Sequence, residues 1–319
     1  MDLYKRVRDS MMAMQRNSRE QGIAAQSLLE AGESELIVMM AHNAVTRQTK
    51  EGKLGIIGDD WAITDPVANG EAVLRAFELT EDKFYENAAN KMLEYLMVYA
   101  PHTEDGVIFY NEKSSGGFSS YQIRADSCCT APPFLAVMGE LNEATKHLFG
   151  IMNYLRDEAS GCLFHIFDAC TGKFARRELW ATGNGLALFG IAKVLVEARS
   201  QGDMLTYETL LQTANEVLDS MLKYQRDDGI FHDILDKPDT FTDGTAAMLC
   251  AAFIYRGIKE GWLERKYKQN AEKIRKTMDK AVDGFGIVRG VCGAPDFRSQ
   301  GTSVEAQAAW IMMDVWAKK

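Results

Sequence analysis

Apolar residues recur at helical spacing along most of this chain, and this periodicity restricts the fold more than any other feature of the sequence. In residues 81–97, for example, Phe84, Ala88 and Met92 are four positions apart, which places them on one face of a helix. Ten further stretches show a similar pattern, and residues 22–30 are a candidate for a twelfth helix. These ten stretches are 2–16, 34–49, 67–79, 127–139, 143–156, 184–200, 204–224, 244–259, 264–281 and 303–317. The periodicity therefore predicts an all-α protein.

The connections between these stretches alternate in length. Residues 80–82 form a short connection, which indicates the closed end of a helical hairpin. The long connections carry Gly and aromatic residues, and they are 51–65, 101–125, 157–182, 225–242 and 282–302. Loops of this length without helices are usually functional. Six hairpins closed into a ring predict an (α/α)6 barrel, whose long loops converge on a pocket at one end.

No Pro- or Ser-rich linker interrupts the chain, so we expect residues 1–319 to form a single domain. An open helical solenoid is the alternative, but its repeats should look alike and lack long, unequal loops on one side. Two short apolar runs follow a glycine, at Gly106 and at Gly229. We interpret both as loop hairpins at the mouth of the barrel.

The charge balance and hydropathy exclude two classes of partner. The net charge of −9 argues against nucleic acid, because phosphate contacts need clustered Lys and Arg. No apolar run approaches the roughly 20 residues that span a bilayer, so we expect no membrane partner. The amino terminus lacks an apolar signal core, which predicts a cytoplasmic protein with reduced thiols. No oligomeric state is predicted.

The chain has six cysteines, and none forms a CxxC zinc pattern. Cys162 and Cys170 flank His165, at a spacing that matches no zinc module. We therefore expect no metal and no cofactor.

The loop 157–182 and the residues after it concentrate side chains that bind sugars. His165 lies beside aromatic residues, Asp168 follows three positions later, and Trp180 precedes a helix start at Gly183-Asn184-Gly185. Outside helices, Trp, His and Asp can stack on a sugar or hydrogen-bond to it. Other interpretations are open: His165 as an ordinary loop residue, Asp168 as a turn cap, and Trp180 as part of the core.

Two aspartates lie at predicted helix starts. Asp126 precedes a stretch that contains Pro132 and Pro133, and Asp65 is followed by Pro66 at the first helical position. The structural explanation of each aspartate is an N-cap, which accepts backbone N–H groups. Two prolines inside a helix are harder to explain by packing, because each removes a hydrogen bond and bends the helix. A bend that shapes a pocket would account for them.

Eight short motifs follow one another along the chain from about residue 50 to its end. They are Asp65-x4-Gly70, Asp105-Gly106-Val107, Gln122-x3-Asp126, Pro133-Phe134-Leu135-Ala136, Gly161-x3-His165-x2-Asp168, Trp180-x2-Gly183-Asn184-Gly185, Asp228-Gly229-Ile230-Phe231-His232-Asp233-Ile234-Leu235-Asp236 and Gly301-Thr302-Ser303-Val304-Glu305-Ala306-Gln307-Ala308. In this order they resemble the unsaturated glucuronyl and rhamnogalacturonyl hydrolases of glycoside hydrolase families 88 and 105. The Gly-Asn-Gly motif makes the rhamnogalacturonyl branch the more similar.

This resemblance implies an (α/α)6 barrel that acts on small oligosaccharides ending in a 4,5-unsaturated uronic acid. The family's catalytic Asp aligns with Asp126, and its second pocket Asp with Asp65. In the family mechanism a carboxylic acid protonates C4 of the vinyl ether, water adds at C5, and the hemiketal collapses and releases the neighbouring sugar. We expect burial and the second carboxylate to raise the pKa of Asp126 for this role. His165 is expected to hydrogen-bond the substrate, and Trp180 to form a wall.

The chain departs from the family pattern at four positions. Thr182 replaces an Arg that is suited to bidentate recognition of a carboxylate, and Leu186 replaces a stacking Trp. Arg124 stands where a Trp is common, and Tyr110 where a His is common. The candidates for the lost cation are Arg124, Arg176 and Arg177. The residues predicted to bind substrate are His165, Trp180, Arg124, Tyr110, Asn184 and Thr182.

Three alternatives to this function are open: a saturated uronidase, a sugar isomerase on the same barrel, and a non-catalytic sugar-binding barrel. Isomerases on this barrel tend to use paired histidines, and only His165 and His232 are expected in mouth loops. The lost Arg and Trp favour a non-catalytic protein, whereas the presence of both Asp65 and Asp126 opposes it. We predict that these two aspartates face each other across one cavity.

Overall fold

A computed structural model describes residues 2–58, 61–114 and 119–319 of the chain. Helices dominate these ranges. The α-helices are α1 (Leu3–Met14), α2 (Ser18–Ala31), α3 (Ser34–Thr46), α4 (Thr64–Val67), α5 (Gly70–Thr80), α6 (Lys83–Glu94), α7 (Ala131–Val137), α8 (Leu141–Leu155), α9 (Ala181–Ser200), α10 (Met204–Leu222), α11 (Gly244–Glu260), α12 (Lys268–Met278) and α13 (Val304–Lys318). All of them except the single turn α4 belong to a barrel of helix pairs.

The long helices form two concentric rings. The inner ring consists of α2, α5, α7, α9, α11 and α13, and most residues of α2, α7, α9, α11 and α13 are buried. The outer helices α1, α3, α6, α8, α10 and α12 bury one face each. Each inner helix contacts the next, and contact between α13 and α2 closes the ring. The predicted (α/α)6 barrel is confirmed.

The inner helices begin at one end of the barrel. Arg19, Asp65, Asp126, Trp180 and Glu305 each lie in or shortly before the first turn of a different inner helix, and all five line the same cavity. The long loops therefore open on the same side, as the alternation of short and long connections predicts.

Short antiparallel strands lie in these long loops. Strands β1 (Gln122–Arg124), β2 (Ile166–Asp168) and β3 (Lys173–Arg176) form one sheet in that order. Two further pairs are β4 (Phe231–His232) with β5 (Thr242–Asp243), and β6 (Val291–Cys292) with β7 (Gln300–Gly301). The pairing of β4 with β5 agrees with the hairpin predicted after Gly229. After Gly106 the described residues form only isolated bridges, such as His102 with Ile108.

Two of the differences from the predicted helix boundaries bear on the cavity. The helix predicted at 22–30 begins four residues earlier, at Ser18. The stretch predicted as one helix over 127–139 is a 3-10 turn, Ala125–Cys129, followed by α7. Pro132 and Pro133 therefore lie in the first turn of α7, where backbone N–H groups have no helical partner, and they do not bend a helix interior.

One cluster of buried apolar side chains extends from Val7 in α1 to Met313 in α13. The single-domain organisation stays a prediction. Across the three described ranges, none of the helices combines the length and apolar character that a membrane crossing requires.

Candidate active site

A cavity of about 830 Å³ opens where the inner helices begin. Its volume lies in the range of pockets that enclose small ligands. Charged residues of its lining include Arg19, Asp65, Arg124, Asp126, Arg176 and Glu305. Aromatic residues of its lining include Trp61, Tyr110, His165, Trp180 and Phe297. This mixture of charged groups and rings suits a polar ligand with flat faces, such as a sugar.

Arg19, in the first turn of α2, lies between three carboxylates. Its Nη1 donates a hydrogen bond to Oδ2 of Asp126 and lies 3.4 Å from Oδ1 of Asp65. Its Nε donates to Oε1 of Glu305 over 3.1 Å. The side chains of Asp126 and Glu305 are only 3% and 2% exposed. One guanidinium group therefore joins acidic residues from three distant parts of the chain.

Asp126 is held in its ionised form. Burial raises the pKa of this carboxyl group, but the neighbouring charges, with Arg19 as the strongest, outweigh burial and lower its pKa to about 2. The expectation that the surroundings raise this pKa is therefore wrong for the ligand-free protein, because it omitted Arg19. The other carboxylate oxygen, Oδ1, has no hydrogen-bond partner among the described residues. It lies 3.8 Å from Nε2 of His165.

Asp65 faces the same cavity from α4. Its Oδ2 accepts a hydrogen bond of 2.8 Å from the hydroxyl of Tyr110. Burial, together with the charge of Asp65, raises the pKa of Tyr110, so the hydroxyl keeps its proton. The structure thus brings Asp65 and Asp126 together at Arg19 although 61 residues separate them in sequence.

Neither aspartate caps a helix. The residue before α4 is Ile63 and the residue before α7 is Thr130, so the N-cap explanation does not apply to Asp65 or Asp126. Asp168, in contrast, is a turn cap: its Oδ1 accepts the backbone N–H groups of residues 170 and 171 at 2.9 and 3.2 Å. The structural interpretation, capping of backbone N–H groups, therefore applies to Asp168 and not to Asp65 or Asp126.

His165 and Trp180 form a stacked pair in the cavity wall. Their ring centroids are 4.3 Å apart and their planes differ by 28°. The indole Nε1 of Trp180 donates to Oδ1 of Asp233 over 3.0 Å, which fixes the ring. Burial lowers the pKa of His165 well below its usual range, so the imidazole is neutral. Its Nδ1 has no hydrogen-bond partner within the described ranges.

Two arginines on the three-stranded sheet also line the cavity. The guanidinium of Arg124, at the end of β1, lies over the ring of Tyr110, 3.7 Å from its centroid, and its Nε donates to Gln122. Arg176, at the end of β3, donates to Glu178 over 2.9 Å. Both remain candidates for the cation that recognises a substrate carboxylate.

Arg177 points elsewhere. Its guanidinium lies 5.0 Å from the ring centroid of Phe164, and the residue does not belong to the cavity lining. This position follows from the alternation of side chains along an extended segment, which sends neighbours to opposite faces.

Asn184 and Thr182 do not line the cavity, which corrects their prediction as substrate-binding residues. Asn184 is fully buried, and its amide bonds to the backbone N–H and carbonyl of Leu163 and to the carbonyl of Trp180. The hydroxyl of Thr182, also buried, donates to Asp243. Both side chains point into the protein and support the loop that carries His165 and Trp180.

The sequence prediction missed the central residue, Arg19, and gave Glu305 no role. A local signal did exist for the start of α2. The side chain of Asn17 accepts the backbone N–H of Glu20, a cap that the pattern Asn17-x-x-Glu20 predicts. A helix that begins at Ser18, as this cap predicts, places Arg19 in its first turn at the mouth of the barrel.

Two aspartates and a cysteine lie together behind Trp180. Asp233, Asp243 and Cys292 each place one potential ligand atom within 4.8 Å of the others, a composition that a divalent metal can use. The same residues are joined by hydrogen bonds: Cys292 donates its backbone N–H to Asp243 and its thiol to Asp233. Burial and the charge of Asp243 raise the pKa of Asp233 to about 6. We interpret the group as a hydrogen-bonded support for Trp180.

Solved structures of similar fold cover nearly the whole chain. A possible member of family GH105 from Salmonella enterica serovar Paratyphi A superposes with a TM-score of 0.84 at 17% identity, over 99% of this chain and 92% of the other. A possible GH105 member from Klebsiella pneumoniae gives a TM-score of 0.83 at 17% identity, over 99% and 91%. At this identity the likeness establishes the barrel fold.

Sequence comparison adds the family. The chain is 24% identical over 253 residues to the unsaturated rhamnogalacturonyl hydrolase YesR of Bacillus subtilis. The aligned region covers 76% of this chain and 69% of that protein. The family model described as Glycosyl Hydrolase Family 88 matches residues 7–310. The resemblance predicted from the eight motifs is thereby confirmed, and the chain belongs to glycosyl hydrolase family 88.

Proposed function

We propose that this glycoside hydrolase removes a terminal 4,5-unsaturated uronic acid from small oligosaccharides, with Asp126 as general acid and base. The observation that carries the proposal is the meeting of Asp65 and Asp126 in one cavity of suitable size. Support also comes from the family and from the activity that the name of its relative YesR gives.

In this proposal the reaction hydrates the vinyl ether. The carboxylic acid of Asp126 gives its proton to C4, and the electron pair of the double bond forms the new C4–H bond. Water then adds to the electron-poor C5 and returns a proton to the Asp126 carboxylate. The hemiketal formed at C5 collapses and releases the neighbouring sugar. One water is consumed per turnover, and Asp126 regains its starting state.

The remaining residues position the sugar. Asp65, fixed by Tyr110, supplies a second carboxylate that can accept a hydrogen bond from a sugar hydroxyl. The stacked rings of His165 and Trp180 offer a flat wall, and the open Nδ1 of His165 can bond to the ligand. Arg19 and Arg124 supply positive charge for the uronate carboxylate.

We further propose a cytoplasmic location. All six cysteines lie in the described ranges and are free, and five of them are buried. Unpaired thiols are typical of proteins from a reducing compartment.

Asp126→Asn tests the assignment of the acid. Asn keeps the shape of the side chain but cannot transfer a proton, so turnover of an unsaturated disaccharide, measured as loss of its ultraviolet absorbance, should fall by about 10²- to 10⁴-fold. The melting temperature is measured in parallel, because the variant also loses its ion pair with Arg19. A folded Asp126→Asn protein with wild-type turnover would eliminate Asp126 as the acid.

The same assay separates a non-catalytic sugar-binding barrel from an enzyme. If the wild-type protein binds the unsaturated disaccharide but leaves its absorbance unchanged, the barrel is a binding protein. Such a result would fit the low pKa of Asp126, which disfavours the protonated acid that catalysis needs.

A further inference from the structure

Three buried carboxylates of the cavity share one guanidinium group. Asp65, Asp126 and Glu305 all contact Arg19. Oδ1 of Asp126 and Oε2 of Glu305 are buried and have no hydrogen-bond partner in the described part of the chain. A buried carboxylate oxygen without a partner is energetically costly. A proton on one of these carboxylates, or a hydrogen-bond donor of a bound ligand, would therefore supply the partner that the two oxygens lack.

The contacts of Asp126 also conflict with its proposed role. A general acid must carry a proton when the substrate is bound. The guanidinium of Arg19 stabilises the opposite state, because it bonds to the ionised carboxylate. In the ligand-free site Asp126 therefore lacks the proton with which the proposed reaction begins.

The other groups around Asp126 do not relieve this conflict. Each packed element contributes a charged or titratable side chain. They are Glu20 and Arg19 on α2, Asp65 on α4, Tyr110 in the loop before β1, Arg124 on β1, Cys128 and Cys129 in the 3-10 turn, His165 before β2, and Glu305 on α13. Burial keeps the tyrosine, the cysteines and the histidine neutral. Arg19 and Arg124 are thus the guanidinium groups that act on Asp126, and Arg19 is the one that bonds to its carboxylate.

We propose that Arg19 exchanges its partner when the substrate binds: its guanidinium leaves Asp126 for the incoming carboxylate, and Asp126 takes up the proton that it then donates to C4. This inference rests on the proposed function. It assigns to Arg19 the recognition of the acidic sugar and the loading of the catalytic proton in one event. Binding of one carboxylate with one proton leaves the charge of the site unchanged.

The geometry permits this exchange. The Nε of Arg19 bonds to Glu305 and can hold the side chain while the far end of the guanidinium turns from Asp126 to the ligand. Once Arg19 has left, burial favours the neutral form of Asp126. The proton comes from solvent at binding, is replaced by one from the water that adds to C5, and returns to solvent when the acidic product leaves.

A direct test measures proton uptake by the wild-type protein. Saturated D-galacturonate, which has no vinyl ether to hydrate, is titrated calorimetrically at pH 6 in two buffers of different ionisation enthalpy. Neutral D-galactose serves as the matched ligand. We expect uptake of about one proton for each galacturonate bound and none for galactose. Uptake near zero, or galacturonate binding no tighter than that of galactose, would overturn the exchange.

Variants locate the proton. Asp126→Asn should abolish proton uptake and also tighten galacturonate binding, because Arg19 is released in advance. Asp279→Asn is the control, since Asp279 is a carboxyl group outside the cavity lining whose pKa is also raised by burial, and it should leave the uptake unchanged. Persistence of uptake in Asp126→Asn, or its loss in Asp279→Asn, would assign the proton elsewhere.

The two proposals fail in different ways. If Asp126→Asn loses turnover but the wild-type protein takes up no proton, the partner exchange is wrong and the catalytic assignment stands. If Asp126→Asn turns over the unsaturated disaccharide normally, the catalytic assignment is wrong whatever the calorimetry shows.

Discussion

At the scale of single residues, the two arginines nearest Asp126 differ in how they are held. Arg19 is bonded to acidic side chains on three sides, whereas Arg124 lies flat against the ring of Tyr110 and donates its Nε to the neutral Gln122. The stacked guanidinium keeps its orientation with little loss of conformational freedom. Arg124 is therefore a fixed cation, and Arg19 an exchangeable one.

Arg124→Ala should weaken the binding of acidic sugars far more than that of neutral sugars. A charge-assisted hydrogen bond contributes about 1.5–3 kcal/mol, which corresponds to roughly 10- to 150-fold in the dissociation constant of galacturonate. Titration with galacturonate and galactose measures the two effects. Arg177→Ala is the matched control, because Arg177 is exposed and lies outside the cavity lining. Small and equal losses for both sugars would exclude Arg124 from the anion site.

Asp233 makes the stability of the protein depend on pH. Its pKa is raised to about 6, so the neutral carboxyl group stabilises the fold below pH 4, and this contribution is lost as the pH rises through 6. Asp233→Asn mimics the neutral form. The variant should be more stable than wild type by about 2 kcal/mol at pH 8 and equally stable at pH 4. Urea unfolding at both pH values checks this, and a difference independent of pH would contradict it.

Single residues were predictable where a local pattern surrounds them. The residue types and the family motifs singled out Asp65, Asp126, His165 and Trp180, which the structure brings to one cavity. Arg19 could not be chosen in the same way, because its partners lie 46, 107 and 286 positions away. Asn184 and Thr182 sit beside cavity residues in sequence, but the helical turn of α9 directs their side chains into the protein.

At the scale of elements, the first turn of α2 positions the exchangeable cation. Asn17 caps this helix by accepting the backbone N–H of Glu20 over 2.9 Å. The cap fixes where the helix begins and hence where the side chain of Arg19 leaves the backbone. Asn17 also lines the cavity, so a change at Asn17 can reach the active site both directly and through the position of Arg19.

Asn17→Ala should lower the free energy of unfolding by about 1 kcal/mol and also weaken galacturonate binding. Asp203→Ala is the matched control. Asp203 caps the outer helix α10 by accepting the backbone N–H of Thr206, and it does not belong to the cavity lining. It should cost similar stability and leave binding unchanged. Equal binding by both variants would show that the start of α2 does not control Arg19.

The segment that carries Asp126 shows why element boundaries escaped prediction. Apolar spacing over 127–139 suits one helix, yet Pro132 and Pro133 can only occupy a first turn, so the chain forms a 3-10 turn and then restarts as α7. The prolines were informative, but they mark a boundary and not a bend. Gly190 of α9 allows this turn to approach closely: a Cβ there would lie 2.0 Å from the carbonyl oxygen of Cys128.

At the scale of the whole molecule, the first and last helices of the chain meet where the barrel closes. The side-chain amide of Gln307 in α13 accepts the backbone N–H of Val288 and donates to the carbonyls of Val7 and Gly286. These bonds join α1, the last long loop and the final helix in a fully buried position. Periodicity and loop lengths predicted the ring of helices. They could not predict the polar contacts where the ring closes, because these contacts join residues up to 300 positions apart.

Gln307→Ala should destabilise the protein by roughly 2–3 kcal/mol, because it leaves buried backbone groups without partners. The free energy of unfolding in urea measures this loss. Gln269→Ala, on the exposed surface of α12, is the control for which we expect a change within about 0.5 kcal/mol. A loss no larger than that of the control would mean that water replaces the contacts of Gln307.

The pairing of Arg19 with Glu305 has a consequence for biosynthesis. The two residues are 286 positions apart, so the segment from α2 to α13 must leave the ribosome before they can meet. Until α13 docks, α2 has an uncovered flank and Arg19 lacks one of its three carboxylates. A nascent chain therefore has no finished active site until α13 has emerged, and galacturonate should bind only after α13 has taken its place between α11 and α2.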